Sequence, residues 1–169
     1  MIPTPISTPK DIELTDHFHM SEVIASSTAS RAGIDNSLPT ELFPAACKTA
    51  LGMEKVRACL DNKPISIDSW YRCLQLNQLL KSKDTSQHRK AEAVDFICPA
   101  FGTPLVIAKR LLANKDLLRF NQLILEHTWI HIAWNSDPTV PQKLQVLSLL
   151  SNGGYAAGLT NLDGVSYVA

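Results

Sequence analysis

In "AVDFICP" an aspartate, Asp95, stands between Val94 and Phe96 inside an apolar run. The run reads as a buried strand, so the carboxylate goes into the interior with it. A buried carboxylate is costly unless it is paired, hydrogen-bonded or bound to a metal. Any fold for this chain must therefore bring a partner to Asp95. Two histidines stand out as candidates. His88 lies seven residues upstream in the polar run "KDTSQHRK", and His131 lies in "WIHIAW", flanked by Ile130 and Ile132. On a strand, His131 points away from both isoleucines and shares a face with Trp129 and Ala133.

Taken singly, a histidine on a strand reads as a hydrogen-bonded core residue, and Asp95 as a buried capping carboxylate. Taken together, two neutral imidazoles and one carboxylate form a three-ligand set that leaves zinc a fourth position for water. Water bound there has its pKa lowered to roughly 7. Spacing alone leaves these readings open, and the short helical His-Glu-x-x-His motif is absent.

Composition narrows the classes. With 169 residues, 45% of them apolar and 19% charged, the chain is long enough to bury a core without staples. Sixteen basic residues balance sixteen acidic ones without a basic block, which argues against nucleic acid as a partner. Apolar runs fall short of the roughly 20 residues that span a bilayer, so no stable membrane insertion is expected. The start, "MIPTPISTPKDIELTD", lacks the basic and apolar regions of a secretory signal. Synthesis in the cytoplasm follows, with any action outside needing another route. Cys47, Cys59, Cys73 and Cys98 form no Cys-x-x-Cys pair and read as small buried thiols.

Along the chain, residues 1–13 read as an extended lead held by prolines. A short helix is expected from near Ser21 to Gly33, and a longer one within 37–62 with Pro39 in its first turn. "PISIDSWY" alternates like a strand, and "RCLQLNQLLKS" reads as a short helix. "TPLVIAKRLLAN" reads as a helix capped by Thr103 with Pro104 in its first turn. "FNQLILEH" and "WIHIAW" are expected as strands joined by a very tight turn, and a strand and hairpin are expected beyond Pro141. Helices first and strands later give an α+β class with a mainly antiparallel sheet.

Four blocks carry a resemblance. "DHFHMSEVIASSTASRAGIDNSLP", "DSWYRCLQLN", "SQHRKAEAVDF" and "FNQLILEHTWIHIAW" are similar, in this order, to segments of the zinc D-Ala-D-Ala carboxypeptidases and related L,D-endopeptidases of bacterial cell walls. The branch resembled most has single-domain phage and prophage members, including endolysins. The blocks span roughly residues 16 to 134. The resemblance implies a Hedgehog/DD-peptidase-like fold over one domain, 1–169, with N-terminal helices packed on the sheet that carries the zinc site. The role of 135–169 stays open. It further implies that His88, Asp95 and His131 bind zinc, that Arg72 polarises or anchors the peptide, and that Ser86 orients the site. A guanidinium fork suits a carboxylate or a developing oxyanion. A surface arginine over Trp70 or Tyr71, and a simple loop cap at Ser86, are the bland readings. Gln87 reads as loop.

This chain departs from the pattern twice. Ala91 stands where the family usually has a glycine, three residues after the first histidine. Thr128 stands where many members carry an acidic base. Glu126 is the nearest carboxylate: a two-residue turn at His127 and Thr128 would put it on the face of His131, and a three-residue turn would not. Glu126 is therefore the candidate general base, with His127 read as an exposed hairpin residue. His17 and His19 read as solvated or core-edge histidines. The function expected is a monomeric zinc peptidase acting on peptidoglycan stem peptides, of the phage endolysin kind, reaching the wall after release. The alternatives are a non-catalytic zinc-containing module and a cytosolic D-Ala-D-Ala dipeptidase.

Overall fold

The computed structural model describes residues 11–167. Residues 1–10 of the expected extended lead lie outside them. At its end, Glu13 forms an isolated antiparallel bridge with His19.

Six strands build one sheet: β1 (Ser66–Ser69), β2 (Ala93–Ile97), β3 (Gln122–Leu125), β4 (Ile130–Ala133), β5 (Gln145–Leu149) and β6 (Tyr155–Ala157). Their spatial order is β1-β2-β4-β3-β5-β6. All neighbouring pairs are antiparallel except β3 with β5, which run parallel. The α+β reading holds at this level, and residues beyond 135 supply the two strands at one edge.

Helices α1 (Met20–Ile24) and α2 (Ser27–Ala32) replace the single helix expected up to Gly33. Ser26 causes the break. Its extended backbone ends the first segment, and its hydroxyl accepts from Ala29 N–H at 3.1 Å to cap the second. Gly33 ends α2 in the left-handed region, at φ 64°.

The longest helix, α3, runs Phe43–Cys59. Pro39 sits ahead of a 3-10 turn at Thr40–Leu42, and Pro44 takes the first α-helical turn instead. A helix continuous from Pro39 would carry Pro44 in its interior, where the ring clashes with the preceding turn. Ala46, Ala50, Met53 and Val56 form its buried stripe. Gly52 allows contact with the sheet, because a Cβ there would lie 2.7 Å from the Trp134 ring, just past β4. Helix α4 (Leu74–Leu79) is capped by the Cys73 thiol, which accepts from Leu76 N–H. Helix α5 (Pro104–Ala113) starts with Thr103 capping and Pro104 in its first turn, as expected. It buries Ile107, Ala108 and Leu111, and a single turn, α6 (Lys115–Leu118), follows. No helix among the described residues is long and apolar enough to cross a membrane.

Candidate metal centre and its cleft

Asp95 and His131 occupy directly opposed positions on β2 and β4, two inner strands of the sheet, and His131 also faces Ile124 on β3. Cross-strand pairing alone thus joins two of the three residues. His88 arrives from a 3-10 turn at Gln87–Lys90, where a plain polar loop was expected. Ala91 closes that turn at φ 56° and is fully buried. The turn is tight although glycine's conformation is held here by alanine.

The three side chains converge. His131 Nδ1 lies 2.8 Å from Asp95 Oδ1, His88 Nε2 lies 3.2 Å from the same oxygen, and the two ring nitrogens are 3.3 Å apart. No other such group of metal-binding side chains occurs among the described residues. His88 Nδ1 donates to the Trp70 carbonyl at 2.6 Å, which leaves Nε2 as a lone pair aimed at the cluster. Burial holds the His88 imidazole below its ordinary pKa, against the pull of Asp95, and so favours the neutral form that ligates. Three lone-pair donors facing one point, two nitrogen and one oxygen, form a set that suits zinc.

A second layer fixes Asp95. Arg72 Nη2 donates to its Oδ2 at 2.5 Å, and Arg72 Nε donates to Ser69 Oγ at 2.8 Å. Arg72 is thus no surface cover for Trp70: it orients the carboxylate from behind. Buried Asn36 sets Arg72 in turn. Its amide donates to the Tyr71 carbonyl and its oxygen accepts from Cys73 N–H, one on each side of Arg72. Burial opposes ionisation of Asp95. The two histidine rings beside it outweigh burial, holding the carboxyl below the usual carboxylate range.

The cluster opens into a cleft of about 850 Å³ lined by Arg72, Ser86, His88, Asp95, Glu126 and His131. Its floor is one face of the sheet. Gln122, Ile124 and Glu126 alternate along β3 and its turn, and Gln145, Leu147 and Leu149 alternate along β5. Glu126 N–H donates to the Trp129 carbonyl at 3.2 Å, so the hairpin has the two-residue turn and Glu126 shares the face of His131. Burial is the main cause that raises the Glu126 pKa. Thr128 is exposed at the turn.

Several residues differ from their sequence reading. His127 is half-buried rather than exposed: at φ 61° its Nε2 donates to the Leu149 carbonyl at 2.7 Å. Gln87 is more than loop, because it accepts from Asn121 at 2.9 Å and donates toward the Trp134 carbonyl at 3.3 Å. Ser86 lines the cleft, but its side chain caps no N–H of the turn. Cys47 and Cys73 are only half-buried, whereas Cys59 and Cys98 are buried as expected. His17 pairs with Glu54, and His19 stands at the start of α1, where its N–H donates to the Glu22 carboxylate at 2.8 Å, so neither joins the cluster. Tyr155 on β6, which sequence reasoning passed over, donates its hydroxyl to Glu126 Oε1 at 3.3 Å.

The family model for peptidase M15 matches residues 16–133, from the segment before α1 to the end of β4. The chain therefore belongs to the peptidase M15 family. Peptidases of this family are zinc-dependent. No curated protein matches the chain.

Proposed function

We propose that this member of the peptidase M15 family is a zinc peptidase that hydrolyses amide bonds in peptidoglycan stem peptides, as a phage or prophage endolysin does. The convergence of His88, Asp95 and His131 on one point beside Glu126, in one cleft, is the observation that carries the reading. His88 Nε2, Asp95 Oδ1 and His131 Nδ1 would hold the ion. When bound, zinc supplies Lewis acidity, polarising a carbonyl and acidifying water.

The chain's own groups do the rest. Asp95 is held by Arg72, and His88 by the Trp70 carbonyl, so neither ligand must reorganise. Glu126, raised by burial toward the range useful for a base, takes the proton of the attacking water and returns it to the leaving amine. Arg72 Nη1, without a partner among the described residues, serves as a donor to the developing oxyanion or to a peptide carboxylate. Ser86 lines the same cleft as a substrate contact. In this reading the protein is made in the cytoplasm, acts as a monomer and meets the wall after release.

The test uses purified sacculi, metal analysis and the Glu126→Ala variant. Wild type should bind one zinc and release peptide fragments, whose masses identify the bond cut. The variant should keep zinc and cleave at least about 10²-fold more slowly. Wild type that binds zinc and never cleaves walls would make the protein a structural module. Metal-free protein that cleaves at full rate would remove the metal from the chemistry.

A further inference from the structure

We infer that the β5–β6 hairpin, beyond the matched residues 16–133, is the device that positions Glu126, and that the Tyr155 hydroxyl is its working group. The inference rests on the reading of Glu126 as the base. Glu126 sits at the mouth of a hairpin turn, where a side chain has more freedom than on a ladder position. Two contacts, both from the added hairpin, remove that freedom. The Leu149 carbonyl accepts from His127 Nε2 at 2.7 Å and pins the turn itself. Tyr155 donates to Glu126 Oε1 at 3.3 Å and pins the carboxylate.

Sheet register makes the second contact possible. Leu125 pairs with Ser148 on β5, so the Glu126 row continues through Leu149, and Leu149 pairs with Tyr155 on β6. Tyr155 thus stands in the row of Glu126, two strands away, and an aromatic side chain spans that reach. Its hydroxyl faces the carboxylate and leaves Oε2 for the proton of water. Burial, then the Glu126 charge, raises the phenol pKa, so Tyr155 stays a donor across the working range. Its residue surface is 51% exposed. The ring is therefore no core element, and removing its oxygen leaves the fold unharmed.

Tyr155→Phe and Tyr155→Ala are compared with wild type, all zinc-loaded, on soluble stem-peptide fragments of peptidoglycan. Both variants lose a hydrogen bond to a charged group, so kcat should fall about 10- to 100-fold in each. KM should stay within about twofold, with zinc content and melting temperature unchanged. A wild-type kcat in Tyr155→Phe with a loss only in Tyr155→Ala would reduce the residue to a wall and overturn the inference. So would a raised KM at constant kcat, which makes Tyr155 a substrate contact. Wild type that cleaves no fragment overturns the function and this inference together, whereas active wild type with unaffected variants overturns this inference alone.

Discussion

The two ends of the cleft are built differently. At the metal end, Asp95 and His131 stand opposite each other on inner strands, fixed by the ladder on both sides. Each outer contact there comes from the matched region: Trp70 holds His88, and Arg72 holds Asp95. At the base end, Glu126 stands on a turn whose His127 has positive φ, and its support comes from β5 and β6, beyond that region. A metal needs three donors aimed at one point, and rigid ladder positions supply that aim. A base needs only reach and an adjusted pKa, which an edge hairpin can provide. The metal end should therefore be brittle and the base end tolerant in stability.

Asp95→Ala breaks the brittle end hardest. It removes a ligand and leaves the Arg72 guanidinium unpaired at a position only 14% exposed. Breaking such a buried pair costs about 3–5 kcal/mol, so urea unfolding of the metal-free variant should shift by that much and zinc should be lost. The pH dependence carries the same information. The folded pKa of Asp95 is lowered, so its contribution is complete above the unfolded value and is lost as pH falls below about 4. Wild type should weaken there more steeply than the variant.

Arg72→Lys is the next step down. Lysine keeps the charge but not the fork, so it cannot serve Asp95 Oδ2 and Ser69 Oγ together. Zinc affinity, measured by competition with a chelator, should fall about 10-fold or more. An unchanged affinity would mean that Asp95 is oriented by its strand alone. At the base end, Glu126→Gln should abolish turnover yet raise the melting temperature by about 1–2 °C. The sign follows from the raised folded pKa: near neutrality the ionised carboxylate is favoured less in the folded chain than in the unfolded one, so replacing it relieves a cost. A lowered melting temperature would show that Glu126 holds the hairpin rather than being held by it.

The same contrast decides what could be read before folding. The metal end was legible because its residues violate local expectation. A carboxylate in an apolar strand and a histidine between two isoleucines each demand a partner. The Glu126 register needed a choice between two turn lengths that neither His127 nor Thr128 decides, because neither is the glycine or asparagine that specifies a hairpin. The Trp129 hydrogen bond settles it. Tyr155 was illegible for another reason. Its role comes from the parallel pairing of β5 with β3, a long-range register that no local pattern near "SNGGYAAG" reveals. The helix break at Ser26 and the late start of α3 are set by a capping serine and by Pro44, signals that apolar spacing does not carry.

The smallest effect is expected at Ala91, which closes the turn that carries His88. Its φ of 56° strains any residue with a Cβ, at a cost of about 1–2 kcal/mol. Glycine would relieve that strain. It would also lose about 0.8 kcal/mol of buried methyl and about 0.5–1 kcal/mol of unfolded-chain entropy. The opposing effects nearly cancel, so Ala91→Gly should change stability by less than about 1 kcal/mol and leave zinc affinity alone. The Ala91 carbonyl, which accepts from Thr49 Oγ1 and Trp70 Nε1, is untouched by that change. Ala91→Val is the control in which nothing offsets the strain. A β-branched side chain cannot hold this φ in a fully buried site, so the turn must open and carry His88 off the cluster. If the valine variant binds zinc as wild type does, His88 is placed by the Trp70 carbonyl alone and the turn is only a connector.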